Sequence, residues 1–383
     1  MTEPTTLSAF PGGAGLFRLD PDIAHLNHGS FGAVPIPVQD AQQALRDEAH
    51  ADPDSFFIGA PDRIAAARTR VAAHLAPGAD PETMAFVSNA TEGANLALGA
   101  LRLADGEEIL VTDHGYGTVV EAAARRAPLT TVALDPALPD EDAVREAVLA
   151  GLTPRTKVAV LDHISSPTAR VIASPRLLAD LAERGITTIV DGAHALGMIA
   201  EPLAGGPDFW FGNLHKWGYA PSGSAVLAVP DPGHRARIRP LVPSWEDHRG
   251  FPRSLEGRAT VDYTGWLAAP EGLDLLAGLD AAKVRAHNSA LAAYGAALLA
   301  ELPGLVPLPH TEGLAMRALR LPPGTAETQE GARALREEIA ARLRIRVLVW
   351  PWPGGGGIRI CGQIYNRPEE YEHLAAGLAT LLA

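Results

Sequence analysis

The sequence predicts an α/β protein: a large domain built on a mainly parallel mixed sheet, followed by a smaller C-terminal α/β domain. Three observations lead there. Short apolar runs, among them "EILVTD", "KVAVLDHI" and "TTIVDGAH", lack the polar alternation of a half-exposed strand. Helical segments such as "DEDAVREAVLAGL" and "SPRLLADLAERG" fall between some of them, as a sheet covered on both faces requires. The 383 residues are 47% hydrophobic, enough for one large core and a smaller one.

Residues 1–35 are irregular and read as an N-terminal segment that packs partly with the small domain. Residues 36–265 form the large domain and 266–383 the small one. A helix is expected from about Pro37 through "VQDAQQALRDEAH". A second covers "PDRIAAARTRVAAHLA", with Pro61 near its start and Pro77-Gly78 ending it. "TMAFVSNATEGANLALGAL" reads as a short strand, a polar turn and a helix. The strands "EILVTD", "LTTVAL", "KVAVLDHI", "TTIVDGAH", "FWFGNL" and "GSAVLAV" follow. From about Pro230 the pattern breaks into polar loops with aromatics, and a long helical part then covers roughly 266–302. The remainder, from "LAMRALRLP" to "PEEYEHLAAGLATLL", reads as strand–helix–strand–strand–helix.

Bulk properties exclude several function classes. A net charge of −13 argues against general nucleic-acid or anionic-membrane binding, although a small anion can still bind locally. The single cysteine, Cys361, excludes an intrachain disulfide and a cysteine metal cluster. There is no basic region followed by an apolar run at the start and no apolar stretch of about 18 residues, so a cytoplasmic protein is expected.

In open parallel sheets ligands collect where strands end in turns, and four such places carry reactive groups. "VSNATEG" sets Ser88, Asn89, Ala90 and Thr91 between a strand and a helix, which suits a phosphate cradle or an ordinary helix cap. "VTDHGYGTV" offers Asp113, His114 and Tyr116; "LDHISSPTA" offers Asp162, His163, Ser165, Ser166 and Thr168. Asp191 ends the strand "TTIVD", with His194 shortly after. That carboxylate can bond a protonated heterocyclic nitrogen or cap a helix; a metal site with His194 lacks a third ligand. In "DFWFGNLHKWGYAPSG", Lys216 stands among aromatics with Gly212 and Gly218 nearby, glycines that let the backbone approach a ligand closely. A lysine in such a setting is either a snorkelling surface residue or a reagent. Together, a phosphate-type turn, a strand-end acid and a pocketed lysine meet the needs of pyridoxal phosphate. The lysine makes the Schiff base, and the acid keeps the ring nitrogen protonated so that the ring is an electron sink.

"SNATEG", "DGAHALG" and "GNLHKWGYAPSG" together resemble the fold-type-I pyridoxal-phosphate enzymes of aminotransferase class V. "HLNHGSFGAVP" and "RICGQIYN" are similar to the isopenicillin N epimerase-like branch, and the resemblance covers roughly residues 20–380. It implies the cofactor pyridoxal 5'-phosphate, with Lys216 as its catalytic lysine and Asp191 as partner of the pyridine nitrogen. His194 and Ser166 would lie by the phenolic oxygen. Ala90, Thr91, Asn213 and His215 would contact the phosphate. The ring-stacking residue comes from "DHGYG", as His114 or Tyr116. Thr260 resembles a threonine lent to the phosphate by a neighbouring subunit, which implies a homodimer with shared sites. Arg359 is similar to the arginine that clamps the substrate carboxylate, and Asn27, His28 and Gly29 would border the substrate cavity.

One departure bears on the reaction. Cysteine desulfurases of this class need a nucleophilic cysteine on a mobile loop, whereas Cys361 lies on an expected strand and "WPWPGGGG" before it has none. The resemblance implies an amino acid or amino-acid-derived substrate reacting at Cα. Epimerisation is the leading reaction, with carbon–sulfur β-elimination and transamination as alternatives. His28, Tyr116 and His163 are the candidate second acids.

Overall fold

A computed structural model describes residues 7–352 and 354–382. The chain divides into two compact units. The larger comprises 37–166 and 171–277; the smaller comprises the chain up to Ile36, Pro167–Arg170 and the chain from Gly278 onward.

The large unit holds seven strands: β1 (Met84–Val87), β2 (Glu108–Thr112), β3 (Leu129–Val132), β4 (Thr156–Asp162), β5 (Thr187–Asp191), β6 (Phe209–Asn213) and β7 (Ala225–Ala228). Their order is β1-β7-β6-β5-β4-β2-β3. Five of them, from β6 to β3, run parallel, and β7 is antiparallel to both its neighbours. β1, β2, β6 and β7 are buried along their whole length, which is why they read as unbroken apolar runs. From β3 the chain crosses back over β2 to reach β4, so the strand order reverses there. Because the strands share one direction, the segments after β2, β4, β5 and β6 all leave from one edge of the sheet. Ala94, Ala97, Val111, Val160, Ile189, Phe209, Phe211 and Leu227 belong to the core on this sheet.

The small unit has a four-stranded antiparallel sheet of β8 (Val306–Pro307), β9 (Met316–Arg320), β10 (Leu348–Trp350) and β11 (Gly357–Cys361), in the order β10-β11-β9-β8. Ala24–His25 pairs in parallel with Ile345–Arg346. Leu26, Leu291, Leu319, Ile339, Ile358, Ile360 and Tyr371 share its core.

Two expectations about elements need correction. The second helix runs over Pro53–Leu75, so Pro61 lies inside it rather than near its start. Asp52 caps this helix by accepting from the Ser55 N–H at 3.1 Å, with Pro53 in the first turn. Phe56, Ala60, Ile64, Ala67, Val71 and Leu75 make one buried stripe past Pro61, whose ring is exposed. The expected boundary at 265/266 also moves, because helix Thr264–Gly278 belongs to the large unit as far as Ala277. Trp266 stacks on Phe86 at 5.5 Å, and Ser224 Oγ donates to the Gly265 carbonyl at 2.9 Å. The next helix, Ala281–Ala300, starts after Asp280, which has a left-handed φ of 63° and accepts from the N–H groups of Ala282 and Lys283. Among the described residues no helix is long and apolar enough to cross a membrane.

Arg68 ties helix Pro53–Leu75 to its surroundings. Fully buried, it bonds the carboxylates of Glu256 and Glu82 and the Pro81 carbonyl. Glu256 also accepts from the Phe86 N–H at 3.0 Å. Burial still pushes Glu256 up to about 7, so desolvation outweighs the guanidinium. Arg68→Ala strands that buried carboxyl and should cost ~3–5 kcal/mol, read as a lowered unfolding midpoint. A loss under ~1 kcal/mol would show that the pair is not a structural tie.

Candidate active site

The turn after β6 fixes Lys216. Leu214 and His215 both donate their N–H to the Ser224 carbonyl, at 3.0 and 3.2 Å, and the Ala220 N–H returns to Leu214 at 3.3 Å. Tyr219, buried in this turn, takes a left-handed φ of 59°. The glycines serve a purpose other than the expected approach to a ligand. A Cβ on Gly212 or Gly192 would fall 2.1 or 2.2 Å from the Trp210 ring, so both leave space for that indole. A Cβ on Gly218 would meet the Leu196 side chain at 2.5 Å.

Hydrogen-bond directions set the state of the lysine. The Trp217 indole N–H, which can only donate, reaches His194 Nδ1 at 3.4 Å. His194 Nδ1 therefore accepts, and the ring proton is assigned to Nε2. That nitrogen lies 3.3 Å from Lys216 Nζ. For the contact to be a hydrogen bond, Nζ must accept, so the amine is neutral and nucleophilic. His215 is also held in one tautomer: its Nδ1 donates to the Ser224 carbonyl at 2.9 Å. Burial lowers its pKa.

Asp191 ends β5, 4% exposed, and its Oδ1 accepts from the Ala193 N–H at 2.9 Å. Burial raises it to about 6. Asp162, at the end of β4, is its register partner and is 5% exposed. It accepts from the Tyr116 N–H, yet burial and the Asp191 charge hold its pKa well above the ordinary range. The sequence offered Asp162 at the end of an apolar strand, as it did Asp191, but gave it no role. His163 follows it, buried, with Nδ1 accepting from Trp210 Nε1 at 3.4 Å; burial pushes it down to about 4. Ser166 lies in the turn beyond, half-buried. His114 is buried, with Nε2 donating to the Leu134 carbonyl at 3.0 Å, whereas Tyr116 is 51% exposed.

Ala90 and Thr91 open helix Ala90–Ala100, capped by Asn89 through the Glu92 N–H at 2.9 Å. The Ala90 N–H donates to Asn213 Oδ1 at 2.9 Å, tying this helix start to the end of β6. Thr260 follows closely after Arg258, which pairs with Glu92 in the first turn of that helix. It is exposed on the wall of a cavity of about 360 Å³ lined also by Phe57, Trp245, Arg253, Glu256 and Tyr263. Among the described residues no three His, Cys, Asp or Glu are grouped to hold a metal.

In the small unit, Asn27, His28, Gly29 and Arg359 come together. Arg359 is fully buried on β11, and its Nη2 donates to Asn27 Oδ1 at 3.1 Å and Ser30 Oγ at 3.4 Å. Its guanidinium also bonds the Cys361 sulfur, which accepts from the Gly29 N–H at 3.5 Å. His28 Nδ1 lies 3.0 Å from Tyr365 Oη, both residues buried. Tyr365 and Ser30 were missed from sequence, having no signal beyond proximity to the flanking motifs.

The aminotransferase class-V family profile matches residues 44–343. The isopenicillin N epimerase of Streptomyces clavuligerus is 34% identical over 395 residues, covering 96% of this chain and 97% of that one. The hercynylcysteine sulfoxide lyase of Schizosaccharomyces pombe is 30% identical over 226 residues, 57% of each chain. Among solved structures, the cystine C–S lyase C-DES in complex with cysteine persulfide gives a TM-score of 0.79 at 23% identity, over 94% of this chain and 98% of that one. That likeness speaks to the fold. By family match and near-full-length relative, the chain belongs to the aminotransferase class-V family and has the type I fold of pyridoxal-phosphate-dependent enzymes.

Proposed function

We propose that this enzyme is an epimerase or racemase acting at the Cα of an amino acid or amino-acid-derived substrate. The observation that carries the reading is the Trp217–His194–Lys216 chain, which keeps an unprotonated amine in the electrostatic reach of buried Asp191. Bound pyridoxal phosphate supplies an electron sink for the pair left when a bond to Cα breaks. Lys216 is the residue that would hold it and the general base for the Cα proton. Asp191 would face the ring nitrogen, and His194 with Ser166 the phenolic oxygen. Ala90, Thr91, Asn213 and His215 would face the phosphate, Asn213 through its amide nitrogen because its oxygen serves Ala90. Tyr116 is preferred over His114 for stacking on the ring, since the His114 ring is buried and tied to Leu134. Arg359 would take the substrate carboxylate, with Asn27, His28 and Gly29 beside it. Its guanidinium is pre-oriented by Asn27 and Ser30.

Epimerisation needs a second proton donor. His163 is a poor one, neutral beneath the Trp210 indole. We assign the role to His28, whose partner Tyr365 can replenish its proton. The near-full-length likeness to an isopenicillin N epimerase supports this reading. A β-eliminating carbon–sulfur lyase is the second reading. It needs only one base, and the partial likeness to a hercynylcysteine sulfoxide lyase favours it. Against a persulfide-forming desulfurase stands Cys361, fully buried on β11 and engaged by Gly29 and Arg359. A homodimer is proposed too: Trp245 is 95% and Val242 74% exposed, close in sequence to the Thr260 loop, an apolar surface that a second copy would cover.

Wild-type protein given pyridoxal phosphate should show the cofactor's visible absorption band and trap it on borohydride reduction. Lys216→Ala should lose both; a wild type without the band would leave only a non-catalytic binding protein. In deuterated water the product should be inverted at Cα and carry solvent deuterium. His28→Gln should lower inversion ~10²-fold or more while exchange continues. A keto acid with a released thiol or sulfenate would establish the lyase instead, and a keto acid alone an aminotransferase. Light scattering should give a dimer that Trp245→Glu converts to monomer, and Thr260→Ala should weaken cofactor retention in an intact dimer. A monomeric wild type would overturn the shared site.

A further inference from the structure

The proposed roles leave one buried group unused. Asp162 and Asp191 are register partners on adjacent parallel strands, so their backbones lie about 4.8 Å apart and their side chains point to the same face. Both are nearly inaccessible to solvent. Asp162 accepts the Tyr116 N–H, but its buried Oδ2 has no hydrogen-bond partner among the described residues. A buried carboxylate oxygen left unbonded is costly unless it is protonated or shares a proton.

No fixed positive charge answers the pair. From the turn after β6, Lys216 faces both carboxyls, yet its amine is the acceptor of His194 Nε2. His194, beyond β5, accepts from Trp217 and is neutral. His163, beyond β4, accepts from Trp210 and is held neutral by burial. From the segment before helix Gly117–Ala124 comes only the Tyr116 N–H dipole. Two carboxylates packed together in a dry site cannot both ionise.

We propose that Asp162 and Asp191 form a carboxyl pair holding one proton, in which Asp162 is the positioning residue that keeps the proton and leaves Asp191 ionised toward the cofactor nitrogen. Asp162 then acts through Asp191: as a neutral acid it can donate to its neighbour, fix the orientation of that carboxylate and remove the repulsion between them. The cofactor half of this proposal rests on the function proposed above; the proton half does not.

The sign of the pH effect follows from the direction in which burial and mutual repulsion move both groups. A carboxyl whose folded pKa is raised holds its proton more tightly folded than unfolded. Its contribution to stability is complete below the ordinary carboxylate range and is lost as pH rises through the raised value. For Asp191 that window closes near the value of about 6, and for Asp162 it extends higher.

The full-length chain, stripped of pyridoxal phosphate, should therefore lose thermal stability between roughly pH 4 and pH 8. Asp162→Asn, a neutral mimic of the protonated acid, should melt ~2–4 °C above wild type at the upper end, with the gap closing at the lower end. Asp191→Asn, tested alongside in case one variant folds poorly, should give the same relief. Equal or lower midpoints for both variants across the range would overturn the shared proton. With pyridoxal phosphate added, equilibrium dialysis should find Asp162→Asn within ~3-fold of wild-type affinity and Asp191→Asn at least ~10-fold weaker. An equal loss in both variants would mean that Asp162 is ionised beside the cofactor, against the proposal. If wild type binds no pyridoxal phosphate, the functional reading fails, while the melting comparison still decides the proton.

Discussion

Parallel pairing of β4, β5 and β6 brings the segment after each strand to one edge of the sheet, and Asp162, Asp191 and Lys216 with them. A shift of one residue between β4 and β5 would turn one carboxyl to the opposite face. The register is in turn held by what lies beneath it. Trp210 on β6 fills the space left by Gly192 and Gly212, and its indole N–H engages His163 at the end of β4. One side chain thus spans three strand ends, setting their spacing as well as filling the core.

The large unit handles buried charge in two ways. Around Arg68 a guanidinium is matched by two carboxylates and a carbonyl, so the charges are compensated locally even though Glu256 remains desolvated. At the strand ends there are two carboxyls and a neutral amine, with no lasting counter-charge. The first arrangement is a structural tie. The second leaves the site short of a cation, which a protonated ring nitrogen would supply.

Much of the large sheet could be read from sequence because its strands are buried on both faces, and "TTIVD" or "FWFGN" admits few other readings. Lys216, Asp191 and His194 were legible for a related reason: reactive groups directly after such strands must emerge where ligands collect. What stayed hidden depends on contacts distant in sequence. Pro61 misled because a helix start was inferred locally, whereas the stripe from Phe56 to Leu75 carries the helix through it. Gly212 was read as room for a ligand, but the nearby Trp210 takes that room. Asp162 had the same strand-end signal as Asp191, yet its orphaned oxygen shows only once neighbouring strands are in register.

Trp217 gives this site a direction. An indole nitrogen has no lone pair to offer, so a proton reaching His194 cannot pass on to Trp217. The relay ends there, and the protein interior neither drains nor refills the amine through it. In the proposed reaction, an isotope that Lys216 takes from a substrate is therefore not lost by way of His194 and Trp217. Internal return of label, compared with washout, would thus measure how well the enzyme shields its own lysine during turnover.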